Sequence, residues 1–425
     1  MKPFIVREEY FGGSFIRREN LTFGFLNKWQ MKLLKDASGK SLEYAIDQVP
    51  YEIDSISLDK FVKNNLDFFS KKSVNYELRP NNGLEMPRGM LKSPLRLYFE
   101  ITRRCNLSCR NCFSSSGRPY DDEMSDEEVK QVLSELRKFD VLETRITGGE
   151  PTQRPGWQGI VQHAKDLGMA VSMNTNGIYN DIRVRDQILE LGVDQVIISL
   201  DGNKEAHESL RGKGNYDRTL DVIKYMSERA NNVRINTILK EESIPFIPKM
   251  VEMANAYGTE MCFILLRPVG RGAELFDVIP PVEVLYRAVE QINELREKHS
   301  NMKIFSSYDV IQANAVKPAP DLDLTGCSAS LRGVGISSQG RVECCGFLAE
   351  LTDEYRPGNV REYDYSLAEM WRNSPEIQAF RQLNLDTNTR CISCDEYEKK
   401  CFGTCATMEV YRKLNPTGRD PYCLL

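Results

Sequence analysis

The chain has 425 residues, a hydrophobic fraction of 41% and a formal net charge of -5. A chain of this length can form two or three domains, and its composition is that of an ordinary globular protein. It has no run of about 18 apolar residues that could span a membrane, and its acidic balance gives no reason to expect nucleic acid as the main partner.

Residues 1–88 are predicted to form a small domain of strands and helices. The sequence begins without the apolar stretch of a secretory signal, so we expect a cytoplasmic protein. Strand patterns at Ser14–Ile16 and Leu21–Leu26 predict a hairpin, and helical patterns follow at Lys28–Asp36, Leu42–Gln48 and Leu58–Ser70. This order suggests a winged-helix-like domain. A stretch with proline and glycine at 79–89 is the predicted linker to the rest of the chain.

Strand and helix patterns alternate six times between residues 94 and 305. Such alternation builds a parallel sheet with right-handed crossovers, so an α/β fold with a partial (β/α)6 barrel is predicted at 89–305. The predicted strands are Leu95–Ile101, Thr144–Thr147, Ala170–Asn174, Gln195–Leu200, Val233–Leu239 and Met261–Leu266. The predicted helices are Asp126–Lys138, Trp157–Leu167, Asp186–Leu191, Tyr216–Arg229 and Pro245–Tyr257.

A three-cysteine motif follows the first predicted barrel strand directly. Cys105, Cys109 and Cys112 have the spacing C-x3-C-x2-C. In a reducing compartment clustered cysteines are more often metal ligands than disulfides. Three thiolates on one short loop can bind three irons of a [4Fe–4S] cluster and leave the fourth iron for a chelating ligand, whereas zinc would need a fourth protein ligand nearby. Structural or redox cysteines are the alternative.

Polar motifs follow the next three strands, at the ends where barrels carry their chemistry. Glycines let a backbone approach a ligand, and a carboxylate can accept hydrogen bonds from an ammonium group or from ribose hydroxyls. His207 is expected to be an ordinary surface residue. The candidate binding residues are Gly148, Gly149, Glu150, Asn174, Asn176, Ser199, Asp201 and Arg211.

With these motifs, the region 94–305 resembles the radical SAM superfamily. The resemblance implies that Cys105, Cys109 and Cys112 hold a catalytic [4Fe–4S] cluster, that S-adenosylmethionine (SAM) chelates its free iron, and that reductive cleavage yields a 5′-deoxyadenosyl radical. Asp201 would contact the ribose and Arg211 the SAM carboxylate. A flavodoxin- or ferredoxin-type protein would donate the electron. The family usually has an aromatic residue at the position of Asn111. This departure affects how the adenine of SAM would pack.

Eight cysteines lie between residues 327 and 423, and their order resembles the SPASM domain, which binds two auxiliary iron–sulfur clusters. We expect this domain at 306–425. The resemblance assigns a distal cluster to Cys391, Cys394, Cys401 and Cys423, and a proximal cluster to Cys327, Cys345 and Cys405. Cys344, Asp321 or an open iron completes the proximal site, and zinc is the alternative metal for the C-x2-C pair. Cys262 is expected to be a buried apolar residue.

The N-terminal domain suggests a substrate. Its predicted hairpin and helices resemble the peptide-recognition element (RRE) of ribosomal-peptide maturases, which binds a leader peptide as an added strand. The first hypothesis is therefore modification of a leader-bearing precursor peptide. Alternatives are a sulfatase-maturase-like or small-molecule dehydrogenase, with the N-terminal domain as a cap, and a non-catalytic electron carrier.

Overall fold

Two sheets organise the chain. The computed structural model describes residues 2–38, 40–50, 53–64, 68, 76–80, 89–308, 327–401, 403–415 and 420–424. The strands of these residues are β1 Phe4–Glu9, β2 Gly12–Arg17, β3 Thr22–Asn27, β4 Tyr76–Arg79, β5 Arg96–Glu100, β6 Glu143–Thr147, β7 Ala170–Thr175, β8 Gln195–Ser199, β9 Val233–Leu239, β10 Glu260–Leu265, β11 Ile304–Ser306, β12 Gly333–Ile336, β13 Arg341–Glu343 and β14 Gly358–Asn359.

The α-helices pack on these sheets. They are α1 Lys28–Ala37, α2 Leu42–Asp47, α3 Ser55–Asn64, α4 Asp126–Lys138, α5 Trp157–Asp166, α6 Val184–Glu190, α7 Lys204–Arg211, α8 Asn215–Ser227, α9 Ile247–Ala256, α10 Val282–Lys298, α11 Ala368–Asn373, α12 Pro375–Ile392 and α13 Ala406–Leu414. None of the helices in the described part of the chain is long and apolar enough to cross a membrane.

The N-terminal sheet has four strands in the order β3-β2-β1-β4. The predicted hairpin is confirmed as β2 and β3, and the three predicted helices as α1 to α3, although the predicted helix end at Ser70 lies outside the described residues. The sequence pattern did not predict β1 or β4. In β1 the charged residues Arg7 and Glu9 are buried beside apolar ones, which hides the alternation that marks a half-buried strand.

Buried arginines fasten this sheet to the barrel. Arg7 donates to the carbonyl of Asp140 at 2.9 Å, Arg18 to Met169 at 3.0 Å and Arg79 to Val141 at 3.3 Å. These carbonyls belong to the segments that lead into β6 and β7. The N-terminal sheet therefore packs at the amino ends of the barrel strands, opposite to the ends where chemistry is expected.

The barrel strands form one open sheet with the C-terminal region. The order is β11-β10-β9-β8-β7-β6-β5-β12-β13-β14, and β5 to β11 are parallel neighbours in chain order. The six predicted barrel strands are confirmed to within one residue at each end. The pairing of β12 with β5 was not predicted, because the short sequence Gly333-Val334-Gly335-Ile336 has no strand periodicity. The cysteine-rich region thus continues the barrel sheet.

A charged layer fills the inside of the barrel near the amino ends of its strands. Arg96 donates to Glu143 at 2.6 Å, and Ser172 donates to the same carboxylate at 2.6 Å. Burial alone would raise the pKa of the Glu143 carboxyl, but Arg96 and Arg145 hold it below its usual value. Because each buried charge has a partner, this layer can close the end of the barrel without an apolar core.

Replacing Arg7 by Ala is expected to lower the free energy of unfolding by about 3 kcal/mol or more, because Glu9 would remain buried without its cation. Urea denaturation followed by far-UV circular dichroism measures the change. The control is Lys32→Ala, which removes an ion pair whose lysine side chain is 53% exposed and should cost about 0.5 kcal/mol or less. Equal effects in the two variants would contradict the proposed docking role of Arg7.

Candidate functional site

The loop between β5 and α4 carries Cys105, Cys109 and Cys112 at the carboxyl end of β5. Its two arms are joined by backbone hydrogen bonds, from the Cys105 N–H to the Gly117 carbonyl at 3.0 Å and from the Gly117 N–H to the Arg103 carbonyl at 2.9 Å. All three cysteines are half-buried, and burial raises the pKa of the Cys105 thiol to about 12. A thiolate at Cys105 would be stabilised by a bound cation, which fits an iron cluster.

A second loop, after β10, holds the cysteine loop from the other side. The Arg271 backbone N–H donates to the Cys112 carbonyl at 3.0 Å, and its side chain donates to the Cys109 carbonyl at 2.8 Å. Gly270 has a φ of +57°, and a Cβ there would lie 2.0 Å from the Phe113 carbonyl oxygen. Neither residue was predicted from the sequence, although Gly270-Arg271-Gly272 follows a predicted strand and could have indicated a functional loop.

The Gly148-Gly149 pair brings the end of β6 against the cysteine loop. A Cβ on Gly148, whose φ is +143°, would lie 2.2 Å from the Thr102 carbonyl oxygen, and one on Gly149 would lie 2.5 Å from that of Arg104. The Glu150 N–H also donates to the Arg104 carbonyl at 2.9 Å. These glycines therefore let the end of β6 lie close to the backbone that leads into Cys105. Their contact with SAM stays a prediction.

Glu150 is completely buried and ties the ends of β6 and β7 together. Its carboxylate accepts hydrogen bonds from the Thr152 hydroxyl at 2.7 Å, the Asn176 N–H at 2.8 Å and the Thr175 hydroxyl at 3.1 Å. Burial raises the pKa of Glu150, and these donors oppose the shift. The described contacts make Glu150 a positioning group for Asn176. Its predicted contact with an ammonium group stays a prediction.

Two asparagines at the end of β7 face the cysteine loop and the barrel interior. The Asn176 Nδ2 donates to Asn106 Oδ1 at 2.9 Å and lies 4.0 Å from the Cys105 Sγ. Asn174 Oδ1 and Asn236 Oδ1 are buried, and neither has a hydrogen-bond partner among the described residues. Buried acceptors are normally paired, so these two oxygens fit a ligand that offers N–H or O–H groups. A SAM molecule has such groups.

Asp201 and Arg211 lie together beside Cys109. Arg211 Nε donates to one Asp201 oxygen, and the Ile238 N–H donates to the other at 2.8 Å. Burial raises the pKa of the Cys109 thiol, and the nearby Arg211 opposes that shift. Ser199, also predicted, is half-buried at the end of β8. The structure thus brings both predicted SAM contacts to the cysteine loop, where they are paired with each other.

The expectation that His207 is a surface residue is wrong. Its side chain is completely buried on the inner face of α7, and its Nδ1 accepts a hydrogen bond from the Asp201 N–H at 3.2 Å. Burial lowers the pKa of His207 to about 4, so the ring is neutral at physiological pH. Because α7 places Ala206, His207 and Leu210 on its buried face, the helical position and not the residue type decides this burial.

The proximal trio, Cys327, Cys345 and Cys405, comes together between β12, β13 and α13. Burial raises the pKa of the Cys327 thiol to about 12, and the nearby Cys405 and Cys345 act in the same direction. The thiol of Cys344 lies elsewhere, 3.9 Å from the carbonyl of Glu376, where α12 begins. Asp321, the other named candidate for the fourth ligand, lies outside the described residues.

The distal set lines one cavity. Cys391, Cys394, Cys401 and Cys423 all face it, and the Gly403 N–H donates to the Cys401 Sγ at 3.2 Å. Within the described residues no three His, Cys, Asp or Glu side chains form a group that could hold a single metal ion.

The expectation that Cys262 is buried is wrong: it is half-buried, because alternate residues of β10 face the open interior of the barrel.

Two carboxyl groups that the sequence analysis did not name lie where the barrel meets the cysteine-rich region. Burial raises the pKa of Glu100 to about 7 and that of Glu343 to about 8, and the charge of Glu100 adds to the shift of Glu343. The Ser338 hydroxyl donates to Glu100 at 3.3 Å. A carboxyl group that titrates near neutral pH can exchange a proton with a substrate. Only the pairing of β12 with β5 brings these residues together, which no sequence motif shows.

Two family models match the chain. Residues 99–252 match the radical SAM superfamily, and residues 327–395 match SPASM, an iron–sulfur cluster-binding domain. The mycofactocin maturase MftC of Mycolicibacterium smegmatis is 28% identical over 352 residues, which cover 79% of this chain and 83% of the maturase. The AdoMet-dependent heme synthase of Methanosarcina barkeri is 28% identical over 355 residues, which cover 79% of this chain and 97% of the synthase.

Solved structures share the fold. The crystal structure of Streptococcus suis SuiB bound to S-adenosylmethionine has a TM-score of 0.70 and 19% sequence identity, and the match covers 100% of this chain and 99% of SuiB. The structure of anSMEcpe with bound AdoMet has a TM-score of 0.61 and 17% identity, covering 78% of this chain and 94% of that one. The SuiB likeness therefore includes the N-terminal sheet.

Replacing Gly149 by Ala is expected to reduce the iron bound at the 105–112 loop, because the new Cβ would collide with the backbone that leads into Cys105. Iron per chain and the visible absorption of the reconstituted protein measure the loss. The matched control is Gly159→Ala, where the nearest atom to the new Cβ is 3.7 Å away on a flexible lysine, and iron should be unchanged. Full iron content in both variants would refute the proposed packing role of Gly149.

Glu100 gives a prediction on pH. Its pKa in the folded chain is about 7 against an ordinary value of 4.5. The folded state therefore keeps the proton that the unfolded state loses, and this carboxyl makes the chain less stable as the pH rises from about 4.5 to 7. Glu100→Gln cannot ionise, so its stability relative to wild type should increase by up to about 3 kcal/mol between pH 5 and pH 8. Thermal melts at both pH values, with the exposed Glu127→Gln as a flat control, test this.

Proposed function

We propose that this chain, a radical SAM enzyme with a C-terminal SPASM domain, modifies a ribosomally made peptide that carries a leader segment. The observation that carries the proposal is the N-terminal sheet, in which β3 is an edge strand. Its residue Thr22 is exposed, and Phe23, Gly24 and Phe25 are half-buried. An edge strand with accessible backbone groups can accept a peptide as an additional strand.

The comparisons support a peptide substrate. MftC is by name a maturase, and a crystal structure of SuiB contains its precursor peptide SuiA. The SuiB fold spans the whole of this chain, including the sheet with the β3 edge. The heme synthase and MftC each match 79% of this chain, so the share of the chain that is matched does not distinguish a peptide from a small-molecule substrate.

We assign the catalytic cluster to Cys105, Cys109 and Cys112, and the auxiliary clusters to the proximal trio and the distal set. With SAM bound, the catalytic cluster supplies the radical that takes a hydrogen atom from the substrate. Asn174 and Asn236 offer unpaired oxygens to SAM, while Asp201 and Arg211 orient it beside the cysteine loop. A flavodoxin- or ferredoxin-type protein is the proposed electron donor.

The two ends of the barrel set a minimum length for the substrate. The N-terminal sheet lies at the amino ends of the barrel strands and the cysteine loop at their carboxyl ends. The barrel strands β5 and β6, which lead to the cysteine loop, have five residues each and span roughly 16 Å at about 3.3 Å per residue. A peptide held at β3 therefore needs at least about five extended residues between its leader strand and the residue that reacts. This spacing separates recognition from chemistry.

A small-molecule substrate is the second candidate, since the heme synthase and MftC are equally similar to this chain at 28% identity. In that case the N-terminal sheet would act as a cap on the amino ends of the barrel strands. The two candidates differ in whether the β3 edge binds a peptide.

Hydrogen exchange measured by mass spectrometry tests the peptide proposal on the full-length, cluster-loaded protein. The probes are synthetic copies of short peptides encoded beside its gene. A bound leader should slow amide exchange at residues 22–27 of β3 and leave residues 76–79 of β4, the other edge of the same sheet, unchanged. Absence of binding, or protection at β4 alone, would contradict strand addition at β3.

The reaction of the bound peptide provides the second readout. With SAM and dithionite under anaerobic conditions, release of 5′-deoxyadenosine should accompany a mass change in the peptide. Cys105→Ala should abolish both, while the level of β3 protection by the peptide should stay the same, because the binding strand lies at the other end of the barrel. Turnover of a tetrapyrrole in place of the peptide would favour the second candidate.

A further inference from the structure

Arg267 is a buried cation beside the proximal trio. It follows β10 directly and is 8% exposed. Its Nη2 lies 3.8 Å from the Cys405 Sγ and its Nη1 donates to the Leu265 carbonyl at 3.4 Å, while its Nε has no hydrogen-bond partner among the described residues. The buried guanidinium therefore contacts a sulfur of the trio through one N–H group and keeps another N–H group unpaired among the described residues.

The three cysteine sulfurs of the proximal trio and the Asp420 carboxyl lie near Arg267. Burial alone would lower the pKa of the guanidinium, but Cys405, Tyr422, Cys327 and Cys345 together raise it above its ordinary value. The rings of Phe347 and Tyr422 flank the guanidinium, with their centroids 5.7 Å and 5.4 Å from its central carbon. Aromatic walls lower the local dielectric constant, so a charge at this position acts strongly on its neighbours.

We propose that Arg267 is a positioning residue that raises the reduction potential of the auxiliary cluster held by Cys327, Cys345 and Cys405. The proposal rests on the cluster assignment made under Proposed function. Reduction adds one negative charge to the cluster. A fixed positive charge in contact with a ligand sulfur stabilises the reduced form more than the oxidised form, because the attraction grows with the charge on the cluster.

The location of Arg267 gives this effect a purpose in the proposed reaction. The residue connects β10, a strand of the barrel, to the proximal trio, where Arg332 is a second guanidinium close to the Cys327 thiol. An easily reduced cluster at this point can accept one electron from a substrate that has already lost a hydrogen atom. The accompanying proton would pass to solvent or to a carboxylate. Arg267 thereby favours oxidation of the substrate over return of the hydrogen atom.

Redox titration followed by electron paramagnetic resonance tests the proposal. It uses the full chain with the three cysteines of the 105–112 loop changed to Ala, so that only auxiliary clusters remain. The reduction wave that disappears in the Cys327→Ala variant belongs to the proximal cluster. Arg267→Gln and Arg267→Met should each lower the equilibrium constant for its reduction at least tenfold, a negative shift of about 59 mV or more for one electron. Arg267→Lys keeps the charge and should change the constant less than threefold.

The matched control is Arg361→Gln, which removes a guanidinium that binds Glu128 and contacts no cysteine, and which should leave the potential unchanged. An unshifted potential in the two neutral variants, or an equal shift in Arg267→Lys, would overturn the proposal, since charge would then not be the cause. Loss of proximal iron from both neutral variants would assign Arg267 to cluster retention and also overturn it. Failure of Cys327→Ala to remove any wave would instead refute the cluster assignment itself.

Discussion

The backbone packing around residues 102–117 is the constraint on which the site depends. This segment must bring three cysteines to one point, although it forms no helix or strand of its own. Gly148 and Gly149 press the end of β6 against it, and Gly270 with Arg271 holds it from the far side. Contacts of 2.0 to 2.5 Å to a hypothetical Cβ leave no room for any side chain at these glycines. The cysteine loop is therefore positioned by backbone contacts on two sides.

The rest of the chain arranges its functions along the barrel axis around that loop. Buried arginines fix the N-terminal sheet to the amino ends of the strands, and the charged layer of Arg96 and Glu143 closes that end. β12 pairs in parallel with β5 from Arg96 to Phe99, and β5 is the strand that leads into the cysteine loop. The cysteine-rich region is thus held in register with the catalytic loop, and the proposed electron path begins where the two meet.

Sequence patterns predicted the features that depend on local periodicity or on fixed spacing. The six barrel strands, the hairpin and the cysteine groups belong to this class. The missed features depend on tertiary contacts: β1 is a strand despite the buried Arg7 and Glu9, and β12 is a strand because β5 offers an edge. His207 is buried by the orientation of α7, and Glu100, whose pKa is raised by burial, contacts Ser338, more than 200 residues away in the chain. None of these contacts can be predicted from a short window of the sequence.

The buried arginines of this chain show how the same residue type can serve two purposes. Arg7, Arg18, Arg79 and Arg271 all donate to backbone carbonyls, which bear only partial charges and do not change during a reaction. Their guanidinium groups hold segments together. Arg267 differs because its neighbours are sulfurs that are proposed to carry a changing charge, and because its Nε remains without a partner among the described residues. Arg267 also donates to a carbonyl, that of Leu265, but in addition it contacts a thiol, which holding β10 in place does not require. The placement of Arg267 against thiols is therefore better explained by the cluster than by the fold.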